Sequence, residues 1–353
     1  MKFASIPGLG LSLTLAICLM APSLARAANV PDTKSAVTTL IAIDKAANKI
    51  RFYDPVTLAL NVSLDSPGKT VHELAIAPDK RTAAIPLYGD GIYGANPDPN
   101  NKVLVLDLPT HSLTKVIDLG ACRAPHGLAI TPQSQLWVLC DQSQVLAQVD
   151  LATGRVLATY ETPGKGPHVL AVTADSERIF ISEKEGPLAV FNTHSHTFEP
   201  SIDLGGKPGT GSEGLAISPD QTRLVTVDND LGKLHVIDLG SRREIAQVPL
   251  LSAPPTNPRR SRLMKLAFSP DGRHLVVTGY AGGLAWIIDG QNLHRQVPVP
   301  LAKGPQAIAF TPDGLSVLIS SHDDGLITRI NLKSRRPDMA VDGGGGIEVL
   351  AFY

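Results

Sequence analysis

The sequence predicts an all-β fold, a seven-bladed β-propeller built from four-stranded blades. Three observations indicate it: one short apolar segment recurs seven times, several β-rich runs follow each copy, and no stretch has the apolar spacing of a helix. A four-stranded unit that repeats every 40 to 50 residues or so is typical of a propeller blade.

The recurring segment places Leu-Ala or a close equivalent before a turn. Its copies are "ELAIAPD", "GLAITPQ", "VLAVTAD", "GLAISPD", "KLAFSPD", "AIAFTPD" and "VLAFY", with steps of 54, 42, 45, 51, 42 and 42 residues between them. We interpret each copy as the innermost strand of a blade. The blades then start near residues 71, 125, 167, 212, 263 and 305.

A second apolar run in each unit ends on an acidic or amide residue. The seven residues are Asp54, Asp107, Asp150, Asn192, Asp238, Asp289 and Asn331. Because one such residue occurs in every unit, we predict that they start turns between strands and have no catalytic role.

The first and last units each lack what the other supplies. The first begins at "LIAIDK" without an inner strand, and the last "VLAFY" has no strands after it. We therefore predict that residues 347–353 pair into the blade whose outer strands come from Leu40 to Leu64. This pairing closes the ring and removes exposed sheet edges.

The N-terminus has the pattern of a secretory signal peptide. Lys2 precedes an apolar run from about Leu9 to Met20, and Ala25 and Ala27 form an A-x-A cleavage site. We predict a signal peptide over residues 1–27, a single propeller domain over 28–353, and a periplasmic or secreted protein. No later segment is apolar for long enough to be a transmembrane segment.

Charge and cysteine content narrow the choice of partners. The net charge is −1 and the basic residues are scattered, so there is no strong nucleic-acid signal, and we expect a monomer. Outside the signal peptide only Cys122 and Cys140 remain, either as a disulfide or as two separate thiols. We predict the disulfide, because the chain is predicted to be exported.

The chain resembles the YVTN-repeat, YncE-like propellers of exported bacterial proteins, which are related in shape to lactonase-type propellers. "PHGLAITPQSQLWVLCD", "AFSPDGRHLVVTG" and "AFTPDGLSVLISS" carry the resemblance, although the tetrapeptide YVTN itself does not occur. The resemblance covers residues 28–353 and implies the fold and a binding function, without specifying any chemistry.

The position two residues before each repeated Leu-Ala leads into the inner strand, at one mouth of the central channel. We call these seven positions the hub ring: His72, His126, His168, Glu213, Met264, Gln306 and Glu348. Three imidazoles from consecutive blades beside a carboxylate suit a divalent transition metal, so we predict His72, His126, His168 and Glu213 as ligands. The alternative is that each histidine only caps a loop carbonyl.

Loops between the second and third strands border the same face. The longest, "LYGDGIYGANPDPN", contributes Tyr88, Asp90 and Tyr93, and shorter ones contribute Glu183 and His322. Loops longer than the repeat requires are often functional, so we predict ligand binding by these five residues. The alternative for the long loop is a tolerated surface excursion.

These observations predict a binding protein that holds a small molecule, a metal ion or a protein at the hub face. One alternative is a metal-dependent hydrolase or lyase of lactonase type, in which Glu213 or Glu183 transfers protons. Another is a purely structural interaction module. No nucleophile elbow, Walker loop or dinucleotide fingerprint is present to favour other enzymes.

Overall fold

The structure, a computed structural model, describes residues 1–2, 39–205, 212–228, 232–251 and 263–353, with backbone only at 263 and 264. Apart from residues 1–2, the predicted signal peptide and its cleavage site lie outside the described residues. The propeller belongs to a compact unit, Val37–Tyr353. Within the described residues, no helix is both long and apolar enough to cross a membrane.

Seven four-stranded antiparallel sheets confirm the predicted fold class. The first three blades in chain order contain β1 (Leu40–Asp44), β2 (Lys49–Tyr53) and β3 (Leu60–Asp65); β4 (Ala75–Ile76), β5 (Thr82–Ile92), β6 (Ala95–Asp107) and β7 (Ser112–Asp118); and β8 (Pro125–Ile130), β9 (Gln135–Cys140), β10 (Val145–Asp150) and β11 (Arg155–Glu161). Blades 4 and 5 contain β12 (Lys165–Val172), β13 (Arg178–Glu185), β14 (Leu188–Asn192) and β15 (Thr197–Ile202); and β16 (Ser212–Ile217), β17 (Arg223–Asp228), β18 (Lys233–Asp238) and β19 (Arg243–Pro249). Blades 6 and 7 contain β20 (Leu263–Phe268), β21 (His274–Gly279), β22 (Leu284–Asp289) and β23 (Gln296–Pro300); and β24 (Pro305–Phe310), β25 (Ser316–Ser321), β26 (Leu326–Asn331) and β27 (Arg336–Asp342).

The ring closes as predicted, by pairing of β28 (Ile347–Phe352) with β1 in blade 1. The register places Leu40 opposite Phe352 and Ala42 opposite Leu350. Tyr353 extends this seam to blade 2, where its hydroxyl lies 2.9 Å from Nε2 of His111. Both ends of the propeller chain are therefore held within one sheet.

The hydrophobic core lies between neighbouring blades. The second strand of each blade is buried on both faces, as in β1, whereas outer strands such as β11 alternate between exposed and half-buried residues. At the seam, Leu40 and Leu350 of blade 1 pack in one cluster with Leu318 and Ile327 of blade 7. Full burial of one such side chain stabilises the fold by about 1.5–3 kcal/mol, so adjacent blades hold each other in place.

The seven acidic or amide residues start turns, as predicted. In each unit the side-chain oxygen accepts a hydrogen bond from the backbone N–H three residues later, as Asp54 does from Thr57 at 2.7 Å and Asn331 from Ser334 at 2.9 Å. The same bond forms at Asp107, Asp150, Asn192, Asp238 and Asp289. These side chains therefore stabilise turns between strands.

Candidate functional site

The hub ends of five inner strands each contain a β-bulge. In blade 3, Pro125 pairs with Cys140 and Leu128 with Val138, so His126 and Gly127 together oppose a single residue of β9. The same shift occurs at the hub end of β12, β16, β20 and β24. A bulge re-aims a side chain that strict alternation would point at a neighbouring blade.

The three histidines of the hub ring lie against one another. The ring centroid of His126 is 4.2 Å from that of His72 and 4.3 Å from that of His168. All three are buried, with 2–8 % of their surface exposed. The structure therefore brings together the three imidazoles that the sequence predicted as ligands.

Two of these histidines also bind backbone carbonyls, which is the structural alternative considered above. Nδ1 of His126 donates to the carbonyl of His168 at 2.8 Å, and Nδ1 of His168 lies 3.4 Å from the carbonyl of Glu213. Gly127 permits this approach, because a Cβ there would lie 2.6 Å from the same His168 oxygen. A carbonyl bound at Nδ1 leaves Nε2 as the free nitrogen, the arrangement usual for metal-binding histidines.

His72 is surrounded by charged groups. Its Nε2 accepts a hydrogen bond from Nζ of Lys45 at 2.8 Å, and its Nδ1 lies 3.2 Å from Glu348 and 3.8 Å from Glu73. Among the described residues, neither Nδ1 of His72 nor Oε2 of Glu348 has a hydrogen-bond partner of good geometry. Buried polar atoms without partners are costly, and these two face the hub.

His72, Glu73 and His126 form a group that can hold a metal ion, with one ligand atom of each within 4.8 Å of the others. His168 adjoins this group through its contact with His126, and Glu213 lies beside His168, with Oε2 3.7 Å from Nδ1. Glu73 was not predicted. Its position next to a hub-ring histidine was the only signal in the sequence.

Burial keeps these histidines neutral. Burial is the main reason that the pKa of His72 falls to about 3. The negative charge of Glu348 raises this pKa, and the ammonium groups of Lys45 and Lys265 lower it. Burial also lowers the pKa values of His126 and His168 well below the usual range. A metal ion requires neutral imidazole, so protons compete weakly for these nitrogens.

The ends of the second strands form another ring around the same mouth. In each blade, the residue just before the hub-ring position pairs with a residue of the second strand, and the next residue of that second strand belongs to this other ring. Its described members are Lys45, Tyr88, Asp141, Lys184, Tyr280 and His322, and the blade 5 position lies outside the described residues. Together with the hub ring, most of these side chains line a cavity of about 700 Å³. Such a volume can hold a small organic molecule.

Glu183 does not line this cavity, although the sequence predicted it as a ligand-binding residue. The ladder pairs Glu183 with Pro167, so the next residue, Lys184, takes the cavity position. The Glu183 side chain is fully buried on the other side of the strand, against Gly164, where burial raises its pKa to about 7. A shift of one residue along a strand reverses which face a side chain occupies.

The long predicted loop is a β-hairpin that extends β5 and β6 over the hub, with Asp90 opposite Asp98. Tyr88 is buried and donates to Asp141 of blade 3 at 2.7 Å. Tyr93 lies against Gly166 of blade 4, with Lys184 5.1 Å from its ring centroid. Tyr88, Asp90 and Tyr93 all line the cavity.

His322 lies on the opposite side of the cavity from the hairpin's contacts with blades 3 and 4. Its Nδ1 is 3.0 Å from Asp323 and 3.3 Å from the Tyr280 hydroxyl, and Nε2 is 3.9 Å from Glu348. Gln306 and Glu348 complete the described hub ring, while the Met264 side chain lies outside the described residues.

A disulfide joins Cys122 to Cys140, whose Cα atoms are 5.6 Å apart. Both cysteines are buried. The bond ties the loop that precedes β8 to the end of β9, directly beside Asp141 and His126. It therefore supports two hub residues of blade 3.

The comparisons with known proteins bear on the fold. No family model and no curated protein matches the chain. Among solved structures, Kuenenia stuttgartiensis hydrazine synthase aligns with a TM-score of 0.67 at 17% identity, covering 81% of this chain and 91% of that one. A functionally unknown protein from Desulfotomaculum acetoxidans DSM 771 aligns with a TM-score of 0.72 at 12% identity, covering 89% and 98%. Dihydro-heme d1 dehydrogenase NirN, in complex with DHE, aligns with a TM-score of 0.63 at 13% identity, covering 89% and 75%. At these identities the likeness shows the fold alone, and the chain is a seven-bladed β-propeller.

Proposed function

We propose that this protein is an exported propeller of the YVTN-repeat, YncE-like type that binds a divalent transition-metal ion at its hub. His72, His126 and Glu73 are the proposed ligands, with His168 and Glu213 beside them. The observation that carries the proposal is the mutual contact of three buried imidazoles from consecutive blades.

The donor types and their surroundings support a metal such as Zn²⁺, Ni²⁺ or Cu²⁺. Imidazole nitrogen with one carboxylate oxygen suits these ions, whereas Ca²⁺ and Mg²⁺ prefer oxygen alone. Nδ1 of His126 is held by a carbonyl, which orients Nε2. For His72 to bind the ion through Nδ1, the imidazole proton must move from Nδ1 to Nε2. Nε2 then no longer accepts from Lys45, whose Nζ can pair instead with Glu348, 3.1 Å away.

Titration calorimetry of metal-stripped protein with Zn²⁺, Ni²⁺ and Cu²⁺ tests the proposal. We expect one ion per chain and at least tenfold weaker binding in His126→Ala, since even outer partners of metal ligands contribute about 10–100-fold. His194→Ala is the matched control, because this imidazole is exposed on a turn outside the cavity lining.

Elemental analysis of protein purified from the native compartment identifies the ion. If His126→Ala unfolds through loss of its carbonyl bond, Glu73→Gln removes a ligand without touching that bond. Wild-type affinity in Glu73→Gln, or no binding by the parent protein, overturns the proposal.

A further inference from the structure

One ion pair crosses the hub. Lys265 of blade 6 and Glu73 of blade 2 occupy the position after the hub ring in their blades, and Nζ lies 2.9 Å from both carboxylate oxygens. Their side chains are 22 % and 12 % exposed. The two residues are 192 positions apart in the chain and belong to non-adjacent blades, so the pair spans the channel.

Glu73 has two competing partners in this arrangement. It is one of the three residues that can hold a metal ion, and it is also the carboxylate that neutralises Lys265. A metal ion that takes electron density from Glu73 weakens its pairing with Lys265. A mostly buried ammonium without a full counter-charge is costly, and it attracts another anion.

The charges around the cavity agree with this need for an anion. Among the described lining residues, three lysines are Lys45, Lys184 and Lys265, and four carboxylates are Glu73, Asp90, Glu213 and Glu348. Three positive and four negative charges give −1, and a divalent ion changes this to +1. Asp90 is already paired with Lys69, which lies outside the lining, so the effective excess rises towards +2.

The space and the coordination also leave room for a ligand. The cavity of about 700 Å³ far exceeds the volume of one ion. Three protein donors leave a fourth position of a tetrahedral site open, as in catalytic zinc sites. Lys184, next to the Tyr93 ring, provides a second cation on the blade 4 side.

We propose that the metal-loaded hub binds a small carboxylate that bridges the open position of the metal and the ammonium of Lys265. This proposal rests on the proposed metal site and names the ligand class of that site. The excess of one to two positive charges fits a mono- or dicarboxylate. Lys184 favours the dicarboxylate, since it can pair with a second carboxyl group.

Succinate is a suitable probe, because it chelates metal ions weakly in free solution. Calorimetric titration of succinate into metal-free and Co²⁺-loaded protein measures the linkage, and the visible absorption of Co²⁺ reports a new oxygen ligand. We expect at least tenfold tighter binding to the loaded protein, together with a change in the Co²⁺ spectrum.

Lys265→Met should retain Co²⁺ and weaken succinate binding at least tenfold. Lys49→Met is the matched control, because it removes a lysine that is also ion-paired, with Asp65, but lies outside the cavity lining. If none of Co²⁺, Zn²⁺, Ni²⁺ and Cu²⁺ binds, the metal site and this inference both fail, and if Zn²⁺ binds without Co²⁺ the same succinate titration is made with Zn²⁺-loaded protein. If Co²⁺ binds but succinate affinity is independent of the metal or of Lys265, only this inference is overturned.

Discussion

Glu183 is a fully buried carboxyl group that has no ion-pair partner among the described residues. Gly164 packs so closely on it that a side chain at that position would overlap the carboxylate. Burial raises the pKa of Glu183 from 4.5 to about 7, and the backbone N–H of Gly164 only partly offsets this rise. The folded state therefore prefers the protonated form.

The sign of the pH dependence follows from this preference. Because the folded pKa of Glu183 is above the unfolded one, this group lowers the free energy of unfolding progressively as pH rises from about 4.5 to about 7. The full difference corresponds to about 3 kcal/mol. We expect Glu183→Gln to become more stabilising by about 2 kcal/mol between pH 5 and pH 8, measured by urea unfolding at both values.

Glu161→Gln is the matched control, because it removes an exposed carboxylate. An equal effect of Glu183→Gln at both pH values would contradict the elevated pKa. So would a stabilisation that is larger at pH 5.

Single residues also show why the site was predicted only in part. The histidines were found because they share one register in three repeats. Lys184 was missed because counting from the end of a β-rich run placed Glu183 at the hub, and the ladder shifts that position by one. Glu73 and Lys265 meet only across the closed ring, and no local pattern links residues so far apart in the chain.

At the level of a secondary-structure element, the hairpin over the hub was also predicted only in part. Its sequence is rich in Gly, Asn and Pro, which disfavour strands, so the sequence predicted a loop. Gly89 and Gly91 adopt positive φ and approach the partner strand too closely for any side chain. The strands form there because the hairpin continues the ladder of β5 and β6.

Tyr88 anchors this hairpin, and its removal tests the anchor. Tyr88→Phe leaves the buried Asp141 carboxylate without its hydroxyl donor, so we expect a loss of about 1–3 kcal/mol in unfolding free energy. Chemical denaturation with tryptophan fluorescence measures it. Tyr160→Phe is the control, because its hydroxyl binds the exposed His196 instead. Equal small losses in both variants would show that the hairpin is held by packing alone.

At the scale of the whole molecule, the repeat count and the incomplete first and last units were sufficient to predict the ring and its closure. The bulges were not predictable, since they interrupt alternation only in the paired structure. The sequence repeats are therefore enough to predict the fold. The geometry of the hub depends on the strand register at the bulges, which the repeats do not reveal.

Deletion of Ile347–Tyr353 tests closure. The variant loses the inner strand of blade 1 and exposes the edge of β1 and the side of blade 7, so we expect it to unfold or aggregate. Differential scanning calorimetry and size-exclusion chromatography measure this outcome. Tyr353→Phe keeps the strand and serves as the control. An unchanged melting temperature in the truncated chain would mean that blade 1 is stable without β28.

Because blade 1 combines strands from both ends of the propeller chain, we expect it to be the last blade to complete its sheet. Every other blade uses consecutive strands, so each can form as soon as its own residues are available, but β1 must wait for β28, about 300 residues later in the chain. Contacts between such distant residues form slowly. While it waits, the chain exposes the unpaired edge of β1, and during this interval it is most open to chaperones, to proteases and to pairing with another copy of itself.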